Sequence, residues 1–107
     1  MQFLSLSTRR TDRFSEAQFA ELVDAEASRA RELYAEGFIR QIWRRGDRPG
    51  ACMVLEADSL EQARARLSTL PLVHAGMLDV SIVPLEPYAG FSTSPRSFQP
   101  VTTDRDA

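Results

Sequence analysis

The chain has 107 residues, 43% of them hydrophobic and 26% charged, the make-up of a single globular domain, because two domains in this length could not each bury a core. Thirteen basic side chains against fifteen acidic ones leave a net charge of −2, so no general positive field exists to hold phosphate backbones and nucleic acid is not an expected partner. Every basic residue is arginine, and the absence of lysine excludes Schiff-base and lysine general-base chemistry.

No apolar run approaches the roughly 18 residues of a membrane helix, and Met1–Ser7 lacks the charged and apolar regions of a signal peptide, so a cytoplasmic protein is expected. The lone Cys52 sits in the apolar run Ala51–Leu55. It can form neither an intrachain disulfide nor a CxxC metal site and reads as a small buried thiol.

In chain order, Gln2–Ser7 alternates weakly around Phe3, Leu4 and Leu6 and predicts a first strand, followed by a polar, arginine-rich loop over Thr8–Arg13. Ser15 and Gln18 have capping-box spacing, and Phe14 and Phe19 occupy the two hydrophobic-staple positions, so a helix starts at Ser15. It runs about six turns to Glu36, where Gly37 tolerates a left-handed end. Phe38–Arg45 and Ala51–Ala57 predict an antiparallel hairpin across the turn-forming connector Gly46-Asp47-Arg48-Pro49-Gly50. Ser59 and Gln62 repeat the capping spacing, and Leu60, Ala63, Leu67 and Leu70 keep helical period until Pro71 stops it. Met77–Leu85 alternates Leu78, Val80 and Ile82 against Asp79 and Ser81 and predicts a last strand, closed by Pro84 and Pro87.

Strand, helix, strand, strand, helix, strand is the ferredoxin-like βαββαβ order of an α+β fold, in which a four-stranded antiparallel sheet carries both helices on one face. Several strand residues are apolar on both sides of the alternation: Phe38 and Ile42 against Ile39 and Trp43, Cys52 and Val54 against Met53 and Leu55. Such a sheet needs a second cover, and another copy of itself supplies it, so a homodimer with a barrel-like interior is expected. Residues 1–88 make up the domain. Residues 89–107, rich in Pro, Ser and Thr, read as an irregular C-terminal arm.

At 100° per residue, Phe19, Leu22, Ala30 and Leu33 fall in one stripe about 80° wide, and Glu26 falls inside it. A carboxylate so placed faces the core or a cavity, where lost solvation raises its pKa, the usual tuning of a general base; the competing reading is a structural glutamate paired with an arginine. Arg40, between Phe38 and Ile42, shares a face with apolar residues, so its guanidinium either pairs with Glu26, binds a substrate carboxylate, or snorkels to solvent. Gln41 and Trp43 point to the opposite face under strict alternation, which a bulge would change. His74, the single histidine, lies in the loop before the last strand, as a proton shuttle at a pocket rim or as a surface residue. It has no histidine at metal-ligand spacing, and Asp79 is a weaker acid candidate. No GxGxxG, GxxxxGK[ST] or GxSxG motif occurs.

Asp24-Ala25-Glu26, Leu33-Tyr34-Ala35-Glu36-Gly37-Phe38-Ile39-Arg40-Gln41-Ile42-Trp43, Asp58-Ser59-Leu60-Glu61 and Leu70-Pro71-Leu72 together resemble the muconolactone isomerase family, in order and nearly in spacing, over roughly Gln2–Tyr88. The resemblance implies a dimeric α+β barrel able to assemble further, no metal or organic cofactor, and a small-molecule substrate. Its named activity shifts a double bond in an unsaturated lactone by moving a proton in aromatic-ring catabolism. It matches Glu26 to the acidic residue of the family's first helix, and Arg40 and Trp43 to the arginine and tryptophan of its second strand. Gln41 stands where histidine is expected, and Val73–Met77 replaces an aromatic, proline-containing turn, which implies a relative with its own small substrate. Glu26 would then move the proton, Arg40 hold a carboxylate or an enolate, Trp43 and Gln41 contact the substrate and His74 relay protons. A non-catalytic small-molecule-binding or structural dimer and a cofactor-free monooxygenase are the alternatives. The lysine-free composition implies a GC-rich, bacterial coding sequence.

Overall fold

The computed structural model describes residues 1–91, so the expected arm lies outside the described residues apart from a 3-10 turn at Ala89–Phe91. The elements are β1 (Gln2–Arg9), α1 (Glu16–Ala35), β2 (Ile39–Arg44), β3 (Ala51–Glu56), α2 (Leu60–Leu67), α3 (Pro71–His74) and β4 (Leu78–Leu85). All strand pairings are antiparallel in the order β2-β3-β1-β4, the ferredoxin-like arrangement expected from the sequence.

Both ends of α1 follow local chemistry. The Ser15 Oγ accepts the Gln18 N–H, and the Gln18 side chain accepts the Ser15 N–H at 2.7 Å, while Phe14 and Phe19 meet edge to face. At the other end Gly37 has φ +85°, with its N–H bonded to the Tyr34 carbonyl and the Phe38 N–H to that of Leu33. This Schellman cap brings Phe38 down onto Leu33, and both lie in the main core with Phe3, Ile39, Met53, Leu55, Ala63, Leu67 and Leu70. A second cluster of Phe19, Leu72 and Met77 lies under the start of α1.

Three expectations shift. β1 runs on to Arg9 because Thr8 and Arg9 pair with Asp79 and Leu78 of β4, so the polar segment begins as strand. α2 ends at Leu67 with Ser68 as its C-cap, short of the expected end at Leu70, and Pro71 opens a further helical turn instead of stopping α2: its missing N–H costs nothing at a first helical position, and His74 ends a helix instead of lying in a loop. β4 passes through Pro84 to Leu85, which an edge strand with one neighbour tolerates.

The side chains of β1, β3 and β4 separate cleanly. Phe3, Ser5, Ser7, Met53 and Leu55 are buried toward the helices, while Leu4, Leu6, Cys52, Val54, Val83 and Leu85 stand on the other, uncovered face. Leu6 is 39% exposed and Val83 50%. Cys52 is half-buried on that uncovered face rather than enclosed in the core.

Candidate active site

β2 contains a register shift between Ile39 and Gln41. Ile39 pairs with Leu55, Gln41 with Val54, Ile42 with Met53, Trp43 with Cys52 and Arg44 with Ala51. Directly paired residues share a face, so Ile42 and Arg44 lie on the helix side, and Gln41 and Trp43 on the uncovered side. Arg40 is the extra residue at the bulge and is exposed.

Between α1 and the sheet lies a cleft of about 220 Å³ lined by Ser7, Arg9, Val23, Glu26, Ala27, Ala30, Ile42, Arg44, Gly50, Ala51, Met53, Leu72 and Leu78. Its walls are mostly apolar. Glu26 reaches it half-buried from the middle of α1, and its Oε1 accepts the Leu72 N–H at 2.8 Å. That N–H is at the N-terminus of α3, whose own cap residue, Leu70, offers no side-chain acceptor. Glu26 thus caps α3 from α1, and its Oε2 accepts no hydrogen bond among the described residues. Burial pushes the Glu26 carboxyl above the ordinary glutamate value, and the Leu72 N–H and the charge of Arg9 pull in the opposite direction without cancelling it.

Arg9 is aligned by β1, where the helix-facing sequence Phe3, Ser5, Ser7 continues. Its guanidinium carbon lies 4.8 Å from the centre of the Phe19 ring, and the Arg9 backbone N–H donates to the Pro49 carbonyl at 3.0 Å. The β2–β3 turn is pinned on β1 by Arg45, which donates from Nε to Asp47 Oδ1 (2.9 Å), from Nη2 to Oδ2 (2.6 Å) and from Nη1 to Thr8 Oγ1 (2.8 Å). The Arg45 fork holds the Asp47 carboxyl down at about 2. Gly50 closes the turn at φ +155°, and a Cβ there would come within 2.0 Å of the Ser7 carbonyl oxygen.

The residues expected to act together are therefore divided. Glu26 lines the cleft; Arg40, exposed at the bulge, does not, and of the readings left open for it the pair with Glu26 is not made among the described residues. Gln41 and Trp43, the latter 61% exposed, are on the far face of the sheet. His74 is exposed at the end of α3, close in sequence to Leu72 but not on the cleft wall. Ser7, Arg9, Arg44 and the Leu72 N–H complete the polar lining.

The family model for muconolactone delta-isomerase matches residues 1–90. The chain belongs to the muconolactone delta-isomerase family. Among solved structures it is similar to muconolactone isomerase, with 24% identity over 88% of this chain and 97% of that one and a TM-score of 0.71. It is also similar to the 5-chloro-2-hydroxyhydroquinone dehydrochlorinase of Burkholderia phenoliruptrix, solved with 2,5-dihydroxybenzoquinone, with 16% identity over 84% of this chain and 98% of that one and a TM-score of 0.62. At these identities the two structures show the shared fold. No curated protein matches the chain.

In this member of the isomerase family the described residues contain no group of three or more His, Cys, Asp or Glu able to hold a metal ion. No helix among them is long and apolar enough to cross a membrane. Arg9 was legible in principle: continuing the β1 alternation one step past Ser7 places it on the helix face. Arg44 was hidden by the bulge.

Proposed function

We propose that the chain is a cofactor-independent isomerase-like enzyme that moves a proton, and with it a double bond, in a small unsaturated lactone or related single-ring compound. The observation that carries this is Glu26: one carboxylate oxygen is anchored on the Leu72 N–H, the other accepts no hydrogen bond among the described residues, and the carboxyl faces a small apolar cleft beside a guanidinium. A carboxylate with a raised pKa is a stronger base than one in water, and a fixed one needs no reorganisation to act. Its Oε2 takes a proton from the sp3 ring carbon bonded to the far end of the conjugated double bond, and the electron pair spreads through that double bond into the carbonyl oxygen. Oε2 then returns the proton to the carbon next to the carbonyl, so that the double bond moves one place along the ring. Atoms balance without an oxidant or a co-reactant. Arg9 steadies the negative charge that develops. Family membership supports the reaction class, and the cleft volume, below the roughly 300 to 1,000 Å³ of drug-sized pockets, supports a one-ring substrate.

The uncovered sheet face supports a homodimer. Leu6, Val83, Leu85 and Trp43 present a contiguous apolar surface of the kind that marks an interface, and a second copy would enclose it together with Cys52. Gln41 and Trp43 then serve assembly and not the Glu26 cleft.

One observation favours a second reading. Because Glu26 caps α3, it is also a structural tie between two helices. Purified protein incubated with muconolactone, with the ultraviolet change of double-bond migration followed in wild type and Glu26→Gln, separates the two. Turnover that depends on Glu26 is expected. Equal rates in the two proteins would reject the proton-transfer role, and the hydroxyhydroquinone class acted on by the dehydrochlorinase supplies the next substrates to try.

A further inference from the structure

The Glu26 cleft adjoins a second, wider one of about 380 Å³ formed by the β2–β3 turn and lined by Arg9, Arg44, Arg45, Asp47, Arg48 and Gly50 among others. The two share Arg9, Arg44 and Gly50, so these residues stand at the junction. Four arginines and one aspartate line the wider cleft, and the Asp47 carboxylate is already engaged by Arg45 through both oxygens, with Arg48 3.7 Å away. Arg44 makes no salt bridge and no side-chain hydrogen bond among the described residues. A group of cations with this surplus, on the rim of a mostly apolar cleft, is complementary to an anion attached to an apolar body.

The bulge at Arg40 decides which arginine has this place. With unbroken alternation from Ile39, Arg40 would stand on the side opposite the helices and Gln41 and Trp43 on the helix side. The extra residue exchanges the faces, so Ile42 and Arg44 enter the clefts and Trp43 leaves. We propose that Arg44 is the specificity-determining residue of the site: it binds, through its planar fork, a carboxylate carried on the side chain of the single-ring substrate whose ring sits against Glu26. Arg9, shared by both clefts and steadied on Phe19, stands between that carboxylate and Glu26, where it meets the charge that develops on the ring. The assignment rests on the proton-transfer reading for the location of the ring, but anion binding itself does not require turnover.

The test therefore measures binding apart from reaction. Isothermal titration with furan-2-acetate, a ring carboxylate with no lactone to isomerise, is compared with its methyl ester on wild type, Arg44→Gln and Arg40→Gln, with thermal melting as the control for folding. Wild type is expected to bind the acid at least tenfold more tightly than the ester. Arg44→Gln should reduce the acid to the affinity of the ester, and Arg40→Gln should leave it within twofold. Equal affinities of wild type for acid and ester, absence of acid binding, or loss of preference in Arg40→Gln but not in Arg44→Gln would overturn the assignment. If Glu26→Gln turns muconolactone over normally while acid binding still depends on Arg44, the base assignment falls and the anion subsite stands. If acid binding ignores Arg44 while turnover depends on Glu26, the reverse holds.

Discussion

Replacing Glu26 in two ways separates what its carboxylate does for the fold from what it does for a substrate. Glu26→Gln keeps an amide oxygen where Oε1 accepts the Leu72 N–H, so the α3 cap survives. A hydrogen bond to a charged acceptor is worth about 1.5 to 3 kcal/mol and a neutral one about 0.5 to 1.5, so the exchange weakens the cap by about 1 kcal/mol. Relief from holding a half-buried charge out of water acts in the opposite sense. The net change is within about 1 kcal/mol, or about 4 to 8 °C in Tm for a domain of this size. Glu26→Ala removes the acceptor altogether and leaves the Leu72 N–H without a protein partner, at about 1 to 3 kcal/mol. Loss of a positioned base costs roughly 10²- to 10⁴-fold in rate, so both variants should lose turnover while only Ala melts clearly earlier. Differential scanning calorimetry and an ultraviolet assay on the same preparations make the comparison. A Gln variant that retains turnover within tenfold, or that loses the 3 to 5 kcal/mol expected when one partner of a buried ion pair is removed, would refute the reasoning.

The same group sets a pH dependence. Its folded pKa is raised, so the native state holds a proton that the unfolded chain releases near 4.3, and stability from this group is full below that value and is lost as pH rises through the folded pKa; the denaturant midpoint of wild type should fall across that window relative to Glu26→Gln. Asp47 behaves with the opposite sign: its depressed pKa means that its contribution persists above the ordinary aspartate value of about 3.9 and disappears as pH falls through about 2. In Arg45→Gln an NMR titration should find the Asp47 carboxyl back near the ordinary value, and a midpoint unmoved from about 2 would show that the fork is not its cause. Gly50→Ala should destabilise by about 1 to 3 kcal/mol in urea unfolding, because its Cβ meets the Ser7 carbonyl and φ lies where side chains are strained. Trp43→Glu, placing a charge on the uncovered sheet face, should shift the dimer expected from light scattering toward monomer without changing helix content, and an unchanged mass would remove that face as the interface.

What the sequence showed and what it hid divide along one line: elements governed by local chemistry were legible, and those governed by pairing at a distance were not. The capping box at Ser15 and the glycine end at Gly37 depend on neighbours in sequence, and so does the helical angle that puts Glu26 among Phe19, Leu22, Ala30 and Leu33. The bulge at Arg40 depends on how β2 meets β3. No glycine marks it, yet it moves Arg44 into the cleft in place of Trp43 and leaves Arg40 outside. Thr8 and Arg9 read as loop because their strand partners, Asp79 and Leu78, come from the other end of the domain.

The partner of Glu26 was hidden for a different reason. A side chain opposite a glutamate announces itself by its charge, whereas a backbone N–H is present at every residue but proline and becomes a preferred donor only where a helix begins. Pro71 at the first position of α3 makes the Leu72 N–H such a donor, so the motif Leu70-Pro71-Leu72 and the acid at Glu26 form one device, read in the sequence as a helix stop and as a carboxylate that is either a general base or paired with an arginine. The device also explains why a reactive role does not conflict with a structural one. Capping occupies one oxygen and fixes the plane of the carboxylate, and the remaining oxygen is thereby held at a constant place in the cleft. Weakening the cap would cost the base its position as well as the helix its stability.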